Sequence, residues 1–165
     1  MEFDRVLKDE AEIYINTDWR SYPFLYPILQ KYFKVRNLIV WDFGYFKRGT
    51  FYRFQHEFIL YATKGEHKRR FAGNENDIWK IKPVNPNKRL HAVQKPIELI
   101  EKMLKNSSAE GDLVLDCFIG SGTTAEACIK HNRQFIGFEI DEKCFDIANE
   151  RIMAALEEKN RVLFS

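Results

Sequence analysis

Residues Asp112 to Asp141 read D-L-V-L-D-C-F-I-G-S-G-T-T-A-E-A-C-I-K-H-N-R-Q-F-I-G-F-E-I-D. An apolar run ending in an acid leads into a glycine-rich turn and a short helical pattern. A second apolar run, again ending in an acid, follows. This is the order of a strand, its helix and the parallel strand beside it. Two features exceed what such a unit needs. Gly120 and Gly122 let the backbone approach a ligand closely, while a helix starting near Thr123 aims its first N–H groups and its dipole at negative charge. Glu139, at the end of the second strand, can accept both hydroxyls of a ribose. The stretch predicts half of a site for a nucleotide-like ligand.

What the loop lacks narrows that ligand. A triphosphate loop requires Gly-Lys-Ser/Thr, because a lysine must neutralise the phosphates, and here Gly122 is followed by Thr123 and Thr124. The dinucleotide fingerprint stays open: Gly120, Gly122 and Ala125 satisfy its spacing, and Glu139 lies near the expected ~20 residues downstream. In that fingerprint the first glycine follows the strand directly. Here Asp116, Cys117, Phe118 and Ile119 intervene, placing a carboxylate and an aromatic ring at the mouth, and an acid there suits a cationic ligand.

D-C-F-I-G-S-G-T-T at 116–124 resembles the cofactor loop of the DNA amino-methyltransferases, usually Asp-Pro-Phe-x-Gly-Ser-Gly-Thr-Thr, with Cys117 in place of the proline. F-I-G-F-E-I-D is similar to their ribose-binding strand. H-A-V-Q-K-P-I-E-L-I-E-K at 91–102 is similar to the His-Pro-Thr-Gln-Lys-Pro segment beside the methionine end of S-adenosylmethionine, although Ala92 and Val93 depart from it. I-Y-I-N-T-D-W-R, N-L-I-V-W-D and Y-R-F-Q-H-E-F-I-L-Y-A-T-K-G resemble strands of the target-binding half. With target half before cofactor half, the order is that of the beta class. The resemblance implies an S-adenosylmethionine cofactor held by Lys95, Pro96, Asp116, Phe118, Gly120, Ser121, Gly122, Thr123, Glu139 and Asp141. It implies DNA as partner, the adenine amino group as acceptor, and direct transfer of the methyl group to that amine. It also implies an α/β fold, a Rossmann-like methyltransferase sheet, mainly parallel, in one domain over residues 1–165. Within it, residues 1–64 would be target-side strands, 65–90 a short recognition insert and 91–165 the cofactor-binding half.

One part of the family pattern is not in these residues. The catalytic motif, Asp/Asn/Ser-Pro-Pro-Tyr/Phe/Trp, belongs before the I-Y-I-N-T strand, yet the prolines stand at 23, 27, 83, 86 and 96 and never adjoin. Its polar residue and carbonyl would hold the target amine and its ring would stack on the flipped base. No catalytic residue is therefore assigned. A sheet of this family without that strand is missing its N-terminal strands. The expected gap lies between the strands at 12–17 and 112–117, and it invites pairing with another chain. An N-terminally truncated sequence, a split enzyme completed by a second polypeptide, and a decayed copy all fit. Two rival functions stay open, a non-catalytic DNA-binding or accessory remnant of the fold and a dinucleotide-dependent oxidoreductase.

At 165 residues and 45% hydrophobic content, one ordinary core is expected. The first ten residues carry six charges, unlike a signal peptide, and no apolar run reaches the ~18 residues of a membrane span, so a cytoplasmic location with no membrane partner is expected. Cys117, Cys128 and Cys144 are odd in number and His56, His67, His91 and His131 are scattered, which supports neither disulfides nor a metal site. All three cysteines are read as core.

Net charge of +2 hides an asymmetry: residues 64–110 hold eleven Lys/Arg against six Asp/Glu, while residues 111–165 hold six against ten. Lys68, Arg69 and Arg70 lie in the basic third beside Phe71, a mixture that suits a polyanionic strand. Arg48, Tyr52 and Arg53, in a glycine-marked loop between two strands, are the other candidates for DNA contact. Trp19 is read as a packed turn residue, and most of Tyr22, Phe24, Tyr26, Tyr32 and Phe33 as helix core. Patterning predicts strands at 12–17, 37–42, 56–63, 112–117 and 134–140, with helices at 24–33, from Pro96 to about 106, 123–131 and 142–158.

Overall fold

Alternating apolar residues build the strands of the first half of the chain, and a two-sided apolar run, F-I-L-Y-A, builds the central one. The computed structural model describes residues 2–66, 75–90 and 94–163, with side chains as far as 161. It divides into two compact units, 1–82 and 83–165, with the boundary inside the expected 65–90 insert.

The first unit contains α1 (Glu2–Val6), β1 (Glu12–Thr17), α2 (Tyr22–Leu29), β2 (Lys34–Asp42), β3 (His56–Thr63) and β4 (Ile78–Lys80), with sheet order β1-β3-β2-β4. β3 is central, and Ile59, Leu60 and Ala62 are fully buried on its two faces. Leu29 and Phe33 close one face against Leu60 and Ala62, joined by Phe3, Leu7, Leu25 and Tyr26. On the chain entering α2, Asp18 accepts hydrogen bonds on one carboxylate oxygen from the N–H groups of Ser21 (2.8 Å) and Arg20 (3.1 Å). Those bonds start the helix two residues earlier than its pattern predicts, and it ends at Leu29 rather than 33. Most of the five rings expected as core do pack: Phe33 is buried and Tyr22 and Tyr26 are half-buried against the same cluster, while Phe24 on the helix and Tyr32 in the turn after it are exposed. One reading is corrected. Trp19 is not packed but 56% exposed, with the Arg20 guanidinium 5.1 Å from its ring centre.

The second unit contains a short 3-10 turn at Pro86–Lys88, then α3 (Ile97–Ser107), β5 (Leu113–Asp116), α4 (Thr123–Lys130), β6 (Gln134–Gly137) and α5 (Glu142–Leu163). Pro96 stands just before α3 as its N-cap, with extended backbone (ψ 143°), rather than inside the first turn. The buried face of α3 is Leu99, Ile100, Met103 and Leu104. α4 is buried almost all round because Thr123, Thr124, Ala125, Ala127 and Cys128 are small enough to sit between α3 and α5. Cys128 and Cys144 are core, as expected, whereas Cys117 is only half-buried at the end of β5.

The expected parallel pairing holds for β5–β6, and β4, a strand that the patterning does not predict, also pairs parallel to β2. β3 instead runs antiparallel to both β1 and β2, because residues 43–55 return the chain directly with no helix to carry it across the sheet. β6 ends at Gly137 rather than 140. Two further hydrogen bonds, Phe138 N–H to Asp116 C=O (3.0 Å) and Ile119 N–H to Phe138 C=O (3.1 Å), stitch its continuation to the loop after β5. Among the described residues β1 pairs only with β3 and β5 only with β6.

Candidate functional site

In-register parallel pairing sets Asp116 opposite Gly137, so the chain leaves β5 and β6 at the same end, where open α/β sheets bind ligands. The loop after β5 is shaped by Asp116. One carboxylate oxygen accepts the Phe118 N–H at 3.0 Å and the other the Thr124 hydroxyl at 2.6 Å. Gly122 caps α4 in the left-handed region (φ 81°), with its N–H on the Ile119 carbonyl at 2.9 Å. A Cβ there would stand 3.0 Å from the Cα of Ala148, so the close approach that Gly122 permits is to helix α5. Gly120 is the glycine with an open face, where a Cβ would meet nothing nearer than the Phe118 carbonyl at 4.0 Å.

Glu139 is the most heavily held carboxylate. One oxygen accepts the Gly120 N–H (2.9 Å), and the other accepts those of Ile140 (2.8 Å) and Asp141 (3.0 Å). These bonds, the one from Asp141 foremost, keep its carboxyl below the ordinary 4.5 despite some desolvation. A carboxylate offers about four acceptor sites, so Glu139 keeps capacity for an incoming hydroxyl. Around it stand large apolar groups in water: Phe118 is 84% exposed and Ile140 fully so, with Phe138 also exposed. Asp141 turns away, its carboxylate accepting the Cys144 N–H at 2.9 Å as the cap of α5.

Arg151, on α5, is the site residue that the sequence does not announce. Its guanidinium donates to the Ser121 carbonyl (3.2 Å) and the Thr123 hydroxyl (2.9 Å), and its Nε donates to Glu126. Burial pushes the Glu126 carboxyl up, but hydrogen bonds from Lys130 and Arg151 outweigh it and hold the group below its ordinary value. Ser121 and Thr123 are thus buried and engaged from behind, which makes them part of the frame of the loop. The Thr123 hydroxyl also donates to the Lys95 carbonyl at 3.3 Å, and Pro96 beside it is buried, so the Lys95–Pro96 segment abuts the start of α4.

Of the residues expected to contact DNA, Arg48, Tyr52 and Arg53 are exposed on the 43–55 loop, where an open concavity of about 400 Å³ is lined by Phe46, Lys47, Arg48, Gly49 and Arg53. Lys68, Arg69 and Arg70 lie outside the described residues. Among the described residues no cluster could hold a metal ion, and no helix is long and apolar enough to cross a membrane.

Residues 1–150 match the family model N6_N4_Mtase, DNA methylase. The chain belongs to that family. It is 33% identical over 178 aligned residues to the type II methyltransferase M.HpaI of Haemophilus parainfluenzae, an alignment covering 90% of this chain and 55% of the relative. The DNA adenine methyltransferase YhdJ of Escherichia coli K12 is 26% identical, over 93% of this chain and 64% of the relative. Among solved structures, the M1.HpyAVI complex with S-adenosylmethionine superposes with a TM-score of 0.80 at 28% identity, covering 91% of this chain and 78% of that one. The chain therefore has the α/β methyltransferase fold, and it spans little more than half to two-thirds of the length of these curated methylases.

Proposed function

We propose that this chain forms the target-side and cofactor-binding parts of one beta-class DNA amino-methyltransferase domain that uses S-adenosylmethionine and acts on the adenine amino group. The carrying observation is the Glu139 carboxylate, ionised and fixed by three backbone N–H groups beside a glycine loop. The residues fit the cofactor. Glu139 would accept a ribose hydroxyl, the exposed Phe118 and Ile140 would offer apolar contact to a flat base, and the negative charge of Asp116 at the end of β5 would favour a cationic group. S-adenosylmethionine, when bound, supplies a methyl group made electrophilic by its sulfonium. Adenine as acceptor is supported by the similarity to the DNA adenine methyltransferase YhdJ.

Arg48 and Arg53 carry cationic charge, and Tyr52 a flat ring, to a strand of DNA, and Lys68, Arg69 and Arg70 add charge from the same half of the sequence. What these residues do not supply is the group that fixes the target amine. A Pro-Pro motif with its strand must come from elsewhere in the polypeptide or from a second one, and the single pairing of β5 supports an edge on which that strand could add.

The test is transfer of a tritiated methyl group to DNA. The chain alone is expected to be inactive. Co-expression with an N-terminal segment of a beta-class relative, bearing the motif and its strand, is expected to give robust transfer. Activity of the chain alone would overturn the division of labour, with another acid such as Asp18 or Asp42 holding the amine.

A further inference from the structure

The loop joining β2 to β3, residues 43–55, has a composition unlike the rest of the molecule: six of its thirteen residues are aromatic, three are basic and none is acidic. It is also built rather than loose. Phe43 is buried edge-on against Trp41, with ring centres 4.9 Å apart. The strand ladder continues outward through Phe43 N–H to Gln55 C=O (2.8 Å) and Lys47 N–H to Phe54 C=O (2.6 Å). At the tip the chain folds back so tightly that a Cβ on Gly49 would stand 2.7 Å from the Tyr52 carbonyl oxygen.

This frame presents Phe51 and Tyr52 to water, 94% and 95% exposed, as two adjacent rings with no packing role. The cations stand beside rings as well. The Arg53 guanidinium is 4.7 Å from the centre of Phe46, and Arg20 from the neighbouring turn lies 5.1 Å from Trp19 and 5.9 Å from Phe54. Isolated exposed rings are ordinary, but a loop in which they are interleaved with cations, its nearest acids being Asp42 and Glu57 at its base, is the surface that unpaired nucleotides need, with stacking faces for bases and charge for phosphates.

We infer that the 43–55 loop binds DNA whose bases are unpaired, by stacking on Phe51 and Tyr52, in preference to closed duplex. In a duplex the base faces are already covered by their neighbours, so rings that protrude this far find a partner only where a strand is open. The arginines would give the loop affinity for either form, and the two rings would give it the preference. The inference rests on the reading of the chain as a DNA methylase and names the form of the DNA that one surface takes.

Fluorescence anisotropy of the full chain with a labelled oligonucleotide, single-stranded and annealed to its complement, reads the preference directly. Phe51→Ala with Tyr52→Ala should lower single-strand affinity about tenfold or more, change duplex affinity little, and leave the salt dependence unchanged. Arg48→Gln with Arg53→Gln should weaken both forms alike and flatten the salt slope by about two. Because the two rings are solvent-exposed, an unchanged melting temperature shows that the first variant is folded. Unchanged single-strand affinity, equal loss on both forms, absence of DNA binding, or a change in oligomeric state with no effect on DNA would each overturn the inference. A parallel titration with S-adenosylhomocysteine separates its failure from that of the methylase reading, since that ligand reports only on the β5–β6 site.

Discussion

The loop after β5 and the loop between β2 and β3 are both glycine-marked and both leave the end of a strand, yet they handle their chemistry in opposite ways. In the first, Asp116, Thr124, Glu139, Ser121 and Thr123 are tied to the backbone, to one another or to Arg151, so the polar side chains fix a shape. In the second the base of the loop is held by backbone hydrogen bonds and by the Asp42 carboxylate, while Phe51 and Tyr52 at the tip are left in water. A site that must bind one ligand in one geometry uses its polar groups to hold itself; a surface that must accept many sequences of a strand leaves its outermost rings in water.

The contrast predicts very different costs of substitution. Gly122→Val should be the most damaging change, because it adds strain at φ 81° and drives a side chain into the backbone of Ala148. Together these should lower stability by about 4 kcal/mol, read by urea unfolding. A melt like that of the parent chain would mean that α5 does not pack on the loop. Next, Arg151→Met removes one of the two cations that hold the part-buried Glu126, leaving only Lys130, and frees Ser121 and Thr123, at a cost of about 2 kcal/mol. Restoration by Glu126→Gln in the same background would show that the under-compensated carboxylate is the source, and no recovery would place it in the lost loop contacts. Phe51→Ala with Tyr52→Ala should alter stability by less than about 0.5 kcal/mol, the smallest value of the series.

A pH series sharpens the same difference. The Glu139 carboxyl titrates below its ordinary 4.5 in the folded chain, so its stabilising contribution is complete above 4.5 and is lost as pH falls through the lower folded value. The parent chain should therefore lose stability more steeply than Glu139→Gln below pH 4.5, followed by circular dichroism, and the two should run parallel above it. Parallel curves over the whole acid range would show that the three N–H bonds do not persist in solution.

Legibility in the sequence followed the range of the interactions. The strand, turn and helix between Asp112 and Asp141 were readable because apolar periodicity, glycine and terminal acids all act within a few residues. The same holds for the helix after Pro96 and the strand at 56–63, whose bounds match those observed. The three-residue strand β4 was not readable, since it forms only by pairing with β2 far upstream. Nor was the role of Arg151, which reaches a loop some thirty residues earlier. Exposure is misread at Trp19 because composition reports that a ring is apolar, and only the packed sheet decides whether anything lies against it. Of the ten residues expected to hold the cofactor, Glu139, Phe118 and Gly120 leave an open side or spare acceptor capacity, while Ser121, Thr123 and Asp141 are engaged in the frame of the loop and of α5.

The most direct test of this account is titration calorimetry of the full chain with S-adenosylhomocysteine and, separately, with NAD. Heat is expected from S-adenosylhomocysteine, with Glu139→Ala reducing the affinity at least tenfold and NAD binding no better than that variant. Preferential binding of NAD, or an S-adenosylhomocysteine affinity indifferent to Glu139, would contradict the assignment of the β5–β6 end as a methyl-donor site.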